Sequence, residues 1–103
     1  MIQLTDTEYD FLKTTLTRYL PTATCYVFGS RVKGTAQPYS DVDILVKSAE
    51  AIPLSVLSKL NEAFDENYLP FKVDIVDWNR ITPEFQKVIQ SEWVALEAAR
   101  RYL

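Results

Sequence analysis

The apolar positions of this chain change period several times, and each change marks an element. Tyr9, Leu12, Leu16 and Tyr19 recur every three or four residues, the spacing of one helix face. Thr5 stands three residues ahead of Glu8, the pairing of a capping box, in which each side chain accepts the other residue's backbone N–H. The spacing therefore predicts a helix that starts after Thr5. It ends at Leu20-Pro21, because the residue before a proline avoids helical backbone. Ala23 to Phe28 is rich in β-branched and aromatic residues and predicts a strand. Gly29-Ser30 predicts a turn, with Ser30 as the N-cap of a short helix reaching about Gly34. Thr35 to Ser40, with Pro38, predicts a loop.

The second half repeats the alternation of elements. Asp41 to Val46 predicts a strand that carries Val42, Ile44 and Val46 on one face and Asp41, Asp43 and Leu45 on the other. A helix follows from about Pro53 to Asn67, with Leu57, Leu60 and Phe64 as its apolar stripe, and Leu69-Pro70 ends it. Phe71 to Asp77 predicts a third strand, with Phe71, Val73 and Ile75 on one face and Lys72, Asp74 and Val76 on the other. Thr82-Pro83-Glu84 is a helix start, with Phe85, Val88 and Ile89 on one side of the helix. Beyond Ser91 the pattern is mixed. Glu92 to Leu96 fits a short edge strand, and Glu97 to Arg101 favours helix. The order predicts an α/β (α+β) fold, a small mixed β-sheet packed by helices. A length of 103 residues predicts one domain over residues 1–103.

Composition narrows the chemistry. The chain has no histidine, which removes histidine acid–base catalysis, Ser-His-Asp triads and histidine-ligated zinc. The single cysteine, Cys25, allows no intrachain disulfide and reads as a small buried side chain. A net charge of −3 and a pI near 4.8 count against a nucleic-acid polymer as the main partner, since phosphate contacts call for a basic surface. A mononucleotide needs only a local cluster of donors and remains open. No apolar run approaches the length of a membrane span and no signal peptide is visible, so no membrane contact and a cytoplasmic location are expected.

Carboxylates, hydroxyls, lysine and arginine must then carry any reaction, and they gather in one stretch. Gly29-Ser30 follows an apolar strand, so its turn can present free N–H groups to a phosphate, with the Ser30 hydroxyl as a further donor. Arg31 adds a fork of donors, and Lys33 a second cation. Taken alone, the same residues also fit an ordinary turn with solvated cations. After ten intervening residues Ser30 is followed by Asp41 and Asp43, two like charges on one strand face. Such a pair repels unless a cation compensates, and magnesium prefers carboxylate and phosphate oxygens. A polar edge-strand face is the plainer alternative. Asp74, an acid in the middle of an apolar strand, can join the pair if its strand lies beside Asp41 to Val46. Three acids then suffice for a two-metal site. Asp77 competes as third acid, but alternation puts it on the opposite face from Asp74.

These residues resemble the minimal nucleotidyltransferase domains of the DNA polymerase β superfamily. The likeness runs through Phe28-Gly29-Ser30-Arg31-Val32-Lys33-Gly34, then Ser40-Asp41-Val42-Asp43-Ile44-Leu45-Val46, with Asp74 on a later strand, and spans roughly residues 5–90. It implies the palm-like fold of polymerase β, with Gly29 and Ser30 holding the nucleotide phosphates. It further implies that Asp41 and Asp43 bind two Mg2+ ions, for which Mn2+ can substitute, and that Asp74 ligates the catalytic ion and helps deprotonate the acceptor. Many such domains occur as the antitoxin beside a HEPN-type ribonuclease toxin, where the resemblance implies AMP transfer from ATP to a toxin tyrosine. Two alternatives stay open: a non-catalytic module that neutralises such a toxin by contact, and a transferase acting on a small hydroxyl compound. A homo-oligomer is open as well. The chain departs from the family at Ser91-Glu92-Trp93, which lacks the glycine often found before the last short strand.

Overall fold

The computed structural model describes residues 2–66 and 69–96. Its elements are α1 (Asp6–Tyr19), β1 (Thr24–Phe28), α2 (Ser30–Lys33), β2 (Val42–Lys47), α3 (Leu54–Asp65), β3 (Val73–Asp77), a 3-10 turn (Trp78–Arg80), α4 (Pro83–Gln90) and β4 (Val94–Ala95). Local chemistry explains most of their ends. The Glu8 N–H donates to Thr5 Oγ1 at 3.1 Å and the Thr5 N–H to Glu8 Oε1 at 2.9 Å, so the capping box forms as the spacing predicts. Thr82 Oγ1 accepts the Phe85 N–H at 3.2 Å, which starts α4 just ahead of Pro83. One cap differs from expectation. Gly29, not Ser30, is the N-cap of α2, and Ser30 is the first helical residue. Gly29 has φ 81° and ψ −153°, a conformation essentially confined to glycine, so the chain can bend there one residue earlier.

The four strands form one mixed sheet in the order β3-β2-β1-β4, an α+β arrangement. β1 pairs antiparallel with both β2 and β4, whereas β2 and β3 run parallel. The parallel pair needs a crossover, and α3 supplies it. One sheet face carries Val27, Val42, Ile44 and Val46 against Tyr9, Leu12 and Leu16 of α1 and Leu60 and Phe64 of α3. The other face carries Phe28 and Leu45, covered by Ile89 of α4 with Trp78, Ile81 and Trp93 around them. This second, smaller core covers only part of its face.

Two further expectations meet the structure at the end of the chain. Ile89 is buried, but Phe85 and Val88 remain 42% and 57% exposed. α4 is a short helix that reaches the sheet through Ile89, so the three apolar residues do not form one buried stripe. Val94 and Ala95 pair with Val27 and Tyr26, which makes the edge strand real, and the missing glycine before it does not prevent the pairing. The helix expected over Glu97 to Arg101 lies outside the described residues, as does Asn67, the expected end of α3. No helix among the described residues is long and apolar enough to cross a membrane.

Candidate active site

The sheet register gathers the acids. β1 ends with Phe28 abreast of Asp43, so the turn at Gly29 passes directly over that carboxylate. A Cβ added to Gly29 would lie 2.4 Å from Asp43 Oδ2, well inside contact distance. Glycine is therefore required twice at this position, by backbone angle and by space. On the other side of β2, Asp43 is the register partner of Asp74 on parallel β3. The sequence left that neighbourhood as a condition, and the topology meets it. Asp41 immediately precedes β2 and is exposed, as is Asp74, while Asp43 is half-buried. The Val42 N–H donates to the Lys72 carbonyl at 2.9 Å, which ties the start of β2 to the start of β3.

Burial, followed by the negative charges of Asp74, Asp41 and Glu92, pushes the Asp43 carboxyl above its ordinary range. Among the described residues the acids do not close into a ready-made cage of three metal ligands. Their chemistry nevertheless fits a hard divalent cation. They are oxygen donors whose mutual repulsion a cation relieves, and magnesium is commonly held by one or two carboxylates, with phosphate oxygens and water completing the shell. An open depression of about 450 Å³, lined by Tyr39, Asp41, Phe64, Phe71 and Lys72 among others, adjoins this cluster.

Asp77 is placed elsewhere. It is buried, its Oδ2 accepts the Ile52 N–H at 2.8 Å and lies 3.3 Å from Arg80 Nε, and its Oδ1 accepts the Asn79 N–H at 3.0 Å. Those bonds fix the loop before α3 and the turn after β3.

The two cations expected at the phosphate turn behave differently from one another. Arg31 is only 4% exposed. Its Nη1 donates to the Gln3 carbonyl at 2.9 Å, and its Nη2 to the carbonyls of Pro38 and Ser40 at 3.0 and 2.8 Å. The guanidinium also lies over the Phe71 ring, 4.6 Å from its centroid. The fork expected to meet phosphate oxygens is thus turned inward. It clamps the N-terminal segment and the loop leading into Asp41. Lys33 stays at the surface, with Nζ 3.1 Å from Glu92 Oε2. Glu92 is the site residue that sequence reasoning missed. Its Oε1 accepts the Gly29 N–H at 3.2 Å. Only the packing of α4 and β4 against β1 brings it there, and no local pattern announces it.

Residues 11–97 match the family model of polymerase beta nucleotidyltransferases. The chain belongs to this family. It is thus a nucleotidyltransferase, a family that generally uses divalent metal ions. It is 38% identical over 90 residues to a Haemophilus influenzae protein named "Probable protein adenylyltransferase MntA", an alignment covering 87% of this chain and 79% of that one. Its fold resembles a crystal structure of a toxin–antitoxin with AMP-PNP, with a TM-score of 0.73 at 24% identity over 85% of this chain and 71% of the other. It also resembles a complex of a tri-AMPylated Shewanella oneidensis HEPN toxin with an MNT antitoxin, with a TM-score of 0.59 at 24% identity, covering 85% and 67% of the two chains.

Proposed function

We propose that this nucleotidyltransferase moves AMP from ATP to a hydroxyl acceptor, a tyrosine of a HEPN-type toxin, and so serves as the antitoxin. The observation that carries the reading is the register of Asp43 against Asp74, with Gly29 closing over Asp43. This brings the Gly29-Ser30 turn and a pair of clustered carboxylates to one end of the sheet. The relatives named for protein adenylyltransferase and for AMPylated toxin support the choice of nucleotide and acceptor.

Asp41, Asp43 and Asp74 are the residues that would hold two Mg2+ ions, with Mn2+ as a substitute. Bound there, such ions supply charge neutralisation for the triphosphate and its pyrophosphate leaving group. The residues of the chain do the rest. The turn at Gly29-Ser30 binds phosphate oxygens through its N–H groups, with Lys33 alongside. Asp74, exposed on the flank of the cluster, accepts the proton of the acceptor hydroxyl. The acceptor oxygen then forms its bond to the α-phosphorus as the bond to the pyrophosphate oxygen breaks.

Calorimetry of ATP binding with and without magnesium tests the site. Binding is expected only with the metal and is lost in Asp41→Asn. Equal affinity in both conditions would remove the metal from the account.

A further inference from the structure

Glu92 presents an acceptor to the same two donors that the proposed function assigns to phosphate. Its Oε1 takes the Gly29 N–H at 3.2 Å, and its Oε2 lies 3.1 Å from Lys33 Nζ. A carboxylate oxygen and a phosphate oxygen compete for such donors on similar terms. The backbone behind Glu92 is anchored. The N–H groups of Glu92 and Trp93 both donate to the Ile89 carbonyl, at 3.1 and 2.9 Å. The Trp93 ring lies stacked on Tyr26, with centroids 3.8 Å apart and planes within 8°. The side chain itself is 21% exposed and carries several rotatable bonds, so it can leave the turn without disturbing that anchor. Arg31 cannot replace Lys33 as a counter-charge, since its guanidinium is buried against backbone carbonyls.

We propose that Glu92 is a resident occupant of the phosphate turn, which a nucleoside triphosphate must displace in order to bind. This inference rests on the nucleotide reading above. The occupant acts as a threshold. A triphosphate offers several oxygens together and displaces it. Inorganic phosphate and nucleoside monophosphates offer too few and are held off. Glu92 is therefore a specificity-determining residue and not a member of the reacting set.

Two substitutions separate occupancy from simple charge. Glu92→Gln removes the charge and the Lys33 pair. Glu92→Asp keeps the charge but is one methylene too short to reach both donors. The probe is a magnesium complex of an ATP analogue that cannot be cleaved between its α- and β-phosphates, titrated by calorimetry. Both variants are expected to bind it roughly three- to tenfold more tightly than the natural chain, the scale of one or two hydrogen bonds no longer broken on entry. A second readout uses the composition: the chain has two glycines, Gly29 and Gly34, so selective 15N-glycine labelling gives two amide signals. The Gly29 signal should differ between the natural chain and each variant when free, and should converge on a common position at saturation. Tighter binding by Glu92→Gln with Glu92→Asp unchanged would overturn the inference in favour of bulk charge. Weaker binding by both would overturn it by showing that Glu92 supports the substrate. If the natural chain does not bind the analogue at all, the nucleotide reading itself fails and this inference falls with it.

Discussion

Asp43 is held between competing requirements. It is half-buried, lies beneath Gly29 and stands beside Asp74, and burial and neighbouring charge together raise its carboxyl above the ordinary range. An acid that titrates higher in the folded than in the unfolded chain favours folding while protonated, at low pH. It loses that contribution as pH rises through its folded value. At neutral pH the metal-free chain therefore holds Asp43 at a cost. Asp43→Asn is expected to raise the melting temperature by a few degrees at pH 7 while abolishing transfer. The gain should shrink as pH falls into the range where Asp43 itself protonates. A lower melting temperature at pH 7 would make Asp43 a structural residue. Arg31 shows the limit of reading one residue at a time. As a type, arginine beside a Gly-Ser turn suits phosphate, and nothing in its immediate neighbours reveals that three backbone carbonyls and Phe71 will claim it. Those partners come from residues 3, 38, 40 and 71, a set that only the tertiary fold brings together.

At the scale of elements, much was legible because local physics decides it. The capping box of α1, the Thr82-Pro83 start of α4 and the alternation of β2 and β3 all need only neighbours in sequence. Alternation separates Asp74 from Asp77, and the pairing of β3 beside β2 sets Asp74 abreast of Asp43. Phe85 and Val88 share the apolar side of α4 with Ile89 yet stay exposed, because periodicity reports which face is apolar, not what covers it. The same register yields a paired prediction. Asp74→Asn should cut transfer by orders of magnitude with little change in melting temperature, since its side chain is exposed. Asp77→Asn should retain transfer but lower stability by about 1–3 kcal/mol, because the buried carboxylate holds the Ile52 N–H and Arg80. Thermal melts run beside transfer assays check both. The reverse pattern would mean that the reacting face is the one that α1 and α3 cover.

Across the whole molecule, the sheet divides two kinds of work. One face is sealed by α1 and α3 into the main core. The other is only partly covered by α4, and the acids occupy its open end. Buried Tyr9 donates its hydroxyl proton to the Leu96 carbonyl, tying α1 to the end of β4. The sealed face thus packs the strands whose register sets Asp43 against Asp74, and the open end leaves Asp74 exposed. The fate of labelled phosphate tests this arrangement most directly. ATP labelled at either the α- or the γ-phosphate is incubated with the chain, magnesium and a HEPN-type toxin, and the toxin is recovered. The account predicts that the toxin carries the α label and none of the γ label, and that both Asp43→Asn and Asp74→Asn abolish the transfer. Label arriving from the γ-phosphate, or α label persisting in both variants, would contradict it.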